Sequence, residues 1–284
     1  MMRTTTRNLE VIVREVSDNK IYLEFKNTPT YLINSIRRIL LSEIPKVAFT
    51  KVIFEENNTA FFEEYIAHRI GMIPLKTDIR YYFDNDGNPK DLKKLKDEKY
   101  YYELIAENTG DDPIMIMSSH IRPLKEEYPE IAIKDIPVVP LGPDQSLRIR
   151  IIANVGIGKE HARHQAVVAP AFKPYPIVKI EGCRYPKDCP DAPCVDICPQ
   201  GIFKIDKKKK KIVISDVEKC KMCRDCVEVC PFGVVTISWD ETHYLLRYET
   251  DNSMDPLDAL WAAVHIWKSK TKELKKKIVE IIGS

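Results

Sequence analysis

Apolar and polar residues alternate at the beginning of the chain. Residues 8–16 are rich in β-branched side chains, and residues 21–25 again place apolar residues at alternating positions. A polar stretch, residues 17–20, separates the two. Because successive side chains of a β-strand point to opposite faces, this pattern predicts two strands joined by a turn.

Helical spacing replaces the alternation immediately afterwards. Between residues 31 and 43 the apolar positions recur every three or four residues, at Leu32, Ile33, Ile36, Ile39 and Leu40. Thr28 is the predicted N-cap, Pro29 the first helical residue, and Pro45 ends the helix. Arg37 and Arg38 lie within this helix but off its main apolar stripe.

The middle of the chain is predicted to consist mostly of strands. The candidates are residues 47–54, 101–106, 114–117 and 145–154. Residues 60–70 are predicted to form a helix that Gly71 ends. Residues 80–100 are polar and predict an exposed loop with little core of its own. Residues 167–180 are predicted to be extended and interrupted by prolines.

The C-terminal part predicts one strand, at residues 243–250, and one long helix. Asp255 is the predicted N-cap of this helix and Pro256 its first residue. Its apolar residues form a heptad-like seam, at Leu257, Leu260, Val264, Trp267, Leu274, Ile278 and Ile281. Such a long seam requires a partner surface. Either it packs on this chain's own sheet, or its distal half packs against another subunit.

Composition narrows the possible classes of protein. The 284 residues are 44% hydrophobic, enough for two or three domains with their own cores. The net charge is +2, from 44 basic and 42 acidic side chains, which argues against a dedicated nucleic-acid binder. The sequence has no apolar run of about 18 residues, so no membrane span is expected. The N-terminus lacks the apolar core of a signal peptide, so we expect a cytoplasmic protein.

The eight cysteines all lie between Cys183 and Cys230, which indicates one module. Four of them, Cys220, Cys223, Cys226 and Cys230, have the spacing of a bacterial-ferredoxin run, with a proline after the last. This spacing is typical of [4Fe-4S] ligands, in which three thiolates bind one cluster and the fourth binds another.

A second set, Cys183, Cys189, Cys194 and Cys198, lies upstream with longer gaps. The segment from Cys198 to Ile202 recurs from Cys230 to Val234, which indicates an internal duplication around a hairpin. With the usual cross-over, Cys198, Cys220, Cys223 and Cys226 would hold one cluster, and Cys183, Cys189, Cys194 and Cys230 the other. A zinc site, or a disulfide among the upstream cysteines, is the competing interpretation.

No catalytic constellation stands out. Gly156 and Gly158 lack the third glycine of a dinucleotide fingerprint, and no phosphate loop is present. His161 and His164 lie in a polar turn with no acidic dyad or cysteine near them in sequence, so we expect a surface loop or an inter-subunit contact. His68, on a helix with an apolar face, is expected to be structural.

Three segments outside the cysteines together resemble one family. Residues 34–45 resemble the "N-x-x-R-R-x-x-x-x-x-x-P" helix of the alpha-like assembly subunits of RNA polymerase. Residues 64–75 resemble that family's "E-x-L-A-H-R-L-x-x-I-P-L" segment, and residues 156–162 its "G-x-G-K-E-H-A" turn. The cysteine-rich insert is similar to that of the archaeal branch of this family, the counterpart of the eukaryotic third subunit and of bacterial alpha.

The resemblance implies an α+β fold with three parts. A discontinuous alpha-like dimerisation domain would comprise residues 1–45 and 239–284. A mixed β domain would be inserted at residues 46–180, and a ferredoxin-like domain with two clusters at residues 181–238. Residues 80–96 contain no cysteine, so the zinc loop of eukaryotic relatives is not expected there.

The resemblance also implies a function in transcription. Family members nucleate assembly of DNA-directed RNA polymerase, a nucleotidyltransferase, and carry no catalytic residues of their own. It implies pairing with the small subunit L through the helix seam and contact of Arg37 and Arg38 with the large catalytic subunits. Little or no direct sequence-specific DNA contact is expected. The alternatives are a ferredoxin-type electron carrier fused to an uncharacterised domain, and clusters that sense oxygen or iron and so gate assembly.

Overall fold

Helices and strands follow one another without a regular repeat in the computed structural model, which describes residues 8–283. The strands are β1 (Glu10–Val16), β2 (Lys20–Lys26), β3 (Pro45–Asn57), β4 (Tyr100–Asn108), β5 (Ile114–Met117), β6 (Arg122–Pro123), β7 (Pro137–Leu141), β8 (Gln145–Ile157), β9 (Val167–Ile180), β10 (Phe203–Asp206), β11 (Lys211–Ile214) and β12 (Val235–Thr250). The α-helices are α1 (Thr30–Ser42), α2 (Glu63–Gly71), α3 (Leu92–Leu95), α4 (Pro193–Asp196), α5 (Asp225–Glu228) and α6 (Pro256–Ile282). The predicted α+β class is confirmed.

The described strands form two larger and two smaller sheets. One four-stranded sheet has the order β1-β2-β12-β9, and the other the order β3-β8-β4-β6. The pairs β5-β7 and β10-β11 form the small sheets. None of the described helices is both long and apolar enough to cross a membrane.

The chain divides into two compact units. The first contains residues 8–12, Leu23–Ile33 and Phe172–Leu246, and therefore all eight cysteines. The second contains Val13–Tyr22, Asn34–Ala171 and residues 247–283. The three-domain boundaries expected from the sequence stay a prediction.

The core of the second unit is built on the antiparallel sheet of β3, β8 and β4. Along β8, Leu147, Ile149 and Ile151 are fully buried while the residues between them are not, as the period of two requires. The ring of Phe49 meets Tyr102 edge-on, with 5.0 Å between centroids. The predicted alternation in this strand is confirmed.

The first helix begins later than predicted. α1 starts at Thr30, and the Thr28 hydroxyl donates a hydrogen bond to the Lys26 carbonyl instead of accepting one from a helical N–H. The Thr28 backbone N–H donates to the carbonyl of Thr242. Thr28 is therefore used to join neighbouring strands, and its predicted N-cap role is wrong.

The segment predicted as an exposed loop at residues 80–100 contributes to the core. Its buried residues include Tyr82, Phe83 and Leu95. The ring of Phe83 lies 4.9 Å from that of Trp261 in α6, between centroids. The Arg80 guanidinium lies 3.9 Å above the Trp261 ring and pairs with Asp258 at 2.8 Å. Single apolar residues among many polar ones do not produce a recognisable period, so the prediction failed.

Candidate functional site

The eight cysteines of the first unit are free thiols that lie in two groups of four. Burial raises the pKa of the Cys194 thiol to about 11, and neighbouring Cys230, Cys183 and Cys189 add to the rise. Burial likewise raises the pKa of Cys226 to about 11, and here the neighbouring thiols are Cys198, Cys220 and Cys223. Cys194 and Cys226 thus each lie among the other three cysteines of their predicted ligand sets.

The first of these groups lines one cavity. Cys183, Cys189, Cys194 and Cys230 all border it, together with two prolines, Pro193 and Pro231. The remaining lining is largely aliphatic or aromatic, with Arg184 the only charged residue. A low-polarity cavity with four thiols is a chemically suitable site for a metal–sulfur group.

The sequence duplication is also a duplication of backbone conformation. A residue in the left-handed region precedes each short helix, Ala192 before α4 and Arg224 before α5. Each helix then carries the buried third cysteine of its run, Cys194 or Cys226. Because an alanine and an arginine here adopt a conformation that favours glycine, the surrounding structure must hold the residue before each helix in it.

The fourth cysteines are followed by matching turns. Gly201 has φ of +59° and donates its N–H to the Cys198 carbonyl at 3.0 Å. Gly233 has φ of +60° and donates to the Cys230 carbonyl at 3.2 Å. This positive φ is accessible to glycine at little cost, which explains why the repeated segment keeps a glycine at this position.

Backbone N–H groups are directed at two of the sulfurs, those of Cys230 and Cys220. Burial opposes ionisation of Cys230, but the N–H groups of residues 232–235 point to its sulfur and lower the pKa of this thiol overall. The Met222 N–H donates to the sulfur of Cys220 at 3.4 Å. Such donors stabilise the negative charge that a thiolate ligand carries.

The donor set fits two four-iron clusters chemically. Each group offers four thiols, and metal binding would replace the protons that burial holds on Cys194 and Cys226. Within residues 8–283, no three Cys, His, Asp or Glu side chains form a group that could hold a metal ion.

Lys173 is a residue of this module that the sequence did not indicate. Its ammonium group donates to the backbone carbonyls of Glu218 and Cys220, the latter at 3.1 Å. It thereby ties β9 to the loop that begins the downstream cysteine run. A single lysine in a proline-containing strand carries no sequence signal for this role.

The predicted apolar seam of α6 is not the face that this chain buries. The buried residues of the helix are Pro256, Ala259, Ala262, Ala263 and Ile266. Leu260 and Trp267 are half-buried, whereas Val264, Leu274 and Ile278 are 42%, 58% and 44% exposed. All described residues from Thr271 onwards are exposed. The helix therefore carries an uncovered apolar stripe.

The two arginines of α1 differ in their surroundings. Arg37 is half-buried and donates from Nη2 to the side-chain oxygen of Asn34 at 3.0 Å. Arg38 is exposed. No carboxylate in the described part of the chain pairs with either guanidinium.

The glycine-containing turn after β8 packs against the end of α1. The Lys159 N–H donates to the Ser42 carbonyl at 2.8 Å, and the Leu41 carbonyl oxygen lies 2.7 Å from the place where a Gly158 side chain would begin. His161 is exposed, as predicted for a surface loop. His164 is buried, which contradicts that prediction.

Burial lowers the pKa of His164 to about 4, so its ring is neutral. Its Nδ1 lies 2.9 Å from the Lys46 carbonyl oxygen. His164 is therefore a structural residue of the second unit.

In the segment around His68, the residue that makes a structural contact is Arg69. His68 is exposed on α2, whereas the Arg69 guanidinium donates to the backbone carbonyls of Pro137 and Val138 in β7. Arg69 therefore ties α2 to the β5-β7 sheet. The structural role predicted for His68 therefore belongs to Arg69.

A family model described as the RNA polymerase Rpb3/Rpb11 dimerisation domain matches residues 22–271. The chain is 29% identical to the DNA-directed RNA polymerase subunit Rpo3 of Methanosarcina acetivorans, over 94% of this chain and 97% of that protein. It is 30% identical to the Rpo3 subunit of Methanobrevibacter smithii, over 90% and 93%. It is 25% identical to the RNA polymerase II subunit rpb3 of Dictyostelium discoideum, over 97% and 96%.

Proposed function

The chain belongs to the RNA polymerase Rpb3/Rpb11 dimerisation family, and from this membership we propose that it pairs with the small alpha-like subunit L to nucleate polymerase assembly. The chain is an alpha-like assembly subunit of DNA-directed RNA polymerase, since its relatives over nearly the whole length are subunits of that enzyme. The observation that carries the proposal is the family match across residues 22–271.

The uncovered stripe of α6 supports the pairing. Val264, Leu274 and Ile278 expose apolar area at heptad-like spacing, on a helix whose other face the chain already buries. Exposed apolar stripes of this kind are typical of helices that pack against another chain. We propose that L covers this stripe, with Leu260 and Trp267 at its inner edge.

Arg37 and Arg38 are proposed to contact the large catalytic subunits. Guanidinium groups are favoured in protein interfaces because they present several donors in a fixed plane. Within the described residues, neither Arg37 nor Arg38 forms an ion pair with a carboxylate. In this proposal the chain contributes no catalytic side chain, and the nucleotidyl transfer belongs to the assembled, cytoplasmic enzyme.

The cysteine module is proposed to hold two [4Fe-4S] clusters. Cys198, Cys220, Cys223 and Cys226 would bind one, and Cys183, Cys189, Cys194 and Cys230 the other. When bound, each cluster supplies iron–thiolate bonds that cross-link loops far apart in sequence. The role proposed for them is structural, because this module has only a small hydrophobic core of its own, built around Phe203, Ile202 and Val235.

The pairing is tested with the full chain, purified without oxygen and mixed with separately purified subunit L. Light scattering after size-exclusion chromatography should give a one-to-one complex. A chain that keeps its iron, remains monomeric and does not bind L would contradict the proposal.

Iron and sulfide analysis of the same preparation tests the clusters. About eight irons and eight sulfides per chain are expected for two clusters, and about four of each for one. Zinc in place of iron would overturn this part of the proposal and leave the pairing with L unaffected.

A further inference from the structure

The turn between β10 and β11 concentrates positive charge. Residues 204–211, named here the lysine hairpin, contain six lysines and one aspartate, a formal charge of +5. Because the whole chain carries +2, the remaining residues total −3. Lys207, Lys208, Lys209, Lys210 and Lys211 are consecutive and all exposed.

Hydrogen bonds fix the backbone of this turn. Asp206 Oδ1 accepts the N–H groups of Lys208 and Lys209, both at 3.0 Å. Lys210 adopts φ of +49°, which closes the turn. The single carboxylate of the lysine hairpin is thus occupied with the backbone. No ion pair involves these five lysines within residues 8–283.

The base of the lysine hairpin is anchored. β10 and β11 pair antiparallel, with Phe203 opposite Ile214 and Ile205 opposite Ile212. Phe203 and Ile212 are buried in the core of the cysteine module. The Ser215 N–H donates to the Ile202 carbonyl at 2.8 Å just below. The charges are therefore presented by a supported hairpin.

The side chains of the turn indicate the chemistry of the partner. Residues 206–211 contain no aromatic or aliphatic residue that could serve as a buried anchor in a protein interface. They also contain no arginine for bidentate base contacts and no ring for stacking. Lysine is a compact point charge suited to phosphate. We propose that the lysine hairpin binds the phosphate backbone of nucleic acid without reading its sequence.

This proposal does not depend on the pairing with L. It uses only the charge and geometry of the lysine hairpin, and it agrees with the expectation of little sequence-specific DNA contact. It adds a contact with phosphate groups that the nearly balanced net charge of the whole chain does not indicate.

The end of α6 provides a matched control, since three consecutive lysines also occur there, on a helix. Lys277 pairs with Glu273 at 2.6 Å, and Lys276 lies 3.9 Å from Glu280. These charges are interleaved with glutamates, so they form a weaker site for a polyanion. Replacing Lys275, Lys276 and Lys277 removes the same charge as replacing three lysines of the lysine hairpin.

The test measures fluorescence anisotropy of a labelled DNA duplex of about 30 base pairs, titrated with the full, iron-loaded chain at about 50 to 200 mM salt. K207Q/K208Q/K209Q should lower affinity at the lowest salt at least about tenfold, and reduce the slope of log affinity against log salt by about 2 to 3. K275Q/K276Q/K277Q should change affinity less than about twofold. K207R/K208R/K209R should bind as the unmodified chain does, because it keeps the charge.

Several results would overturn the proposal. The hairpin variant could bind DNA as tightly as the unmodified chain, or both glutamine variants could lose equal affinity, which would indicate overall charge alone. A strong preference between two duplexes of different sequence would contradict binding through phosphates. A polyglutamate peptide that displaces the labelled duplex at lower concentration than unlabelled duplex does would identify an acidic protein as the partner instead.

Discussion

The ring of His164 lies against Gly156, so closely that a Cβ atom built on Gly156 would be 2.6 Å from His164 Nε2. Neither Gly156 nor Gly158 has the positive φ that favours glycine. They are therefore required for close approach: Gly156 admits the buried imidazole, and Gly158 admits the backbone carbonyl of Leu41.

Gly156→Ala is expected to destabilise the protein by about 1 to 3 kcal/mol, because the added methyl group overlaps the imidazole of His164. Urea unfolding measures this change. In a His164→Ala background the same substitution should cost less, since the overlapping ring is gone. Gly110→Ala is the control, because its nearest neighbour is 3.5 Å away. Equal costs of Gly156→Ala in both backgrounds would show that His164 is not the obstacle.

Stability should fall in mild acid because of His164. Burial lowers the pKa of this residue to about 4, and the cations Lys46 and Arg163 add to the effect. The unfolded chain, with a histidine pKa of about 6.5, therefore takes up the proton first. The contribution of neutral His164 is complete above about pH 6.5 and is lost as pH falls towards 4, by up to about 1.4 kcal/mol per unit.

His164→Gln cannot be protonated, so it should lose that part of the pH dependence. Urea unfolding of both proteins at about pH 6.5, 5.5 and 4.5 compares them. The exposed His68→Gln is the control and should follow the unmodified protein. Parallel curves for the unmodified protein and His164→Gln would contradict the assignment.

The sequence predicted where α6 begins but not which face it buries. Asp255 and Pro256 are local signals, and Asp255 does accept the Leu257 N–H, at 2.7 Å. The buried face consists mainly of Ala259, Ala262 and Ala263, small residues that permit close approach. The larger apolar residues lie on the other face. Large apolar residues dominate a hydrophobic periodicity and alanines contribute little to it. The periodicity therefore indicated the stripe that this chain leaves uncovered.

Introducing a glutamate should affect stability differently on the two faces of α6. Ala263→Glu places a carboxylate in the core and is expected to cost more than about 3 kcal/mol. Val264→Glu, at the next residue, is expected to change stability by less than about 0.5 kcal/mol, because this position is 42% exposed. If L covers the stripe, Val264→Glu should still weaken binding of L at least about tenfold. Unchanged affinity in a titration calorimeter would argue against this surface.

The cysteine spacing indicated the two sets of thiols, but it did not indicate the residues that surround them. The downstream run has regular gaps, whereas the upstream gaps are irregular, yet both sets have a buried third cysteine and a matching glycine turn. The left-handed residues Ala192 and Arg224 could not be foreseen, because neither residue type signals that conformation. The contacts of Lys173 with backbone carbonyls could not be foreseen either, because a single lysine in a strand does not signal such a role.

Pairs of cysteine substitutions can test whether the ligand sets cross between the two runs. In the crossed arrangement Cys198 and Cys226 belong to one cluster, so replacing both with alanine should leave one intact cluster and about four irons per chain. Replacing Cys198 and Cys194, which lie in the same run, should then damage both clusters and leave none intact. An uncrossed arrangement predicts the reverse. The Cys194 thiol has Cys230, Cys183 and Cys189 as its neighbouring thiols, and Cys226 has Cys198, Cys220 and Cys223, so the crossed outcome is expected. Iron analysis with the visible absorption of anaerobically purified variants distinguishes the two.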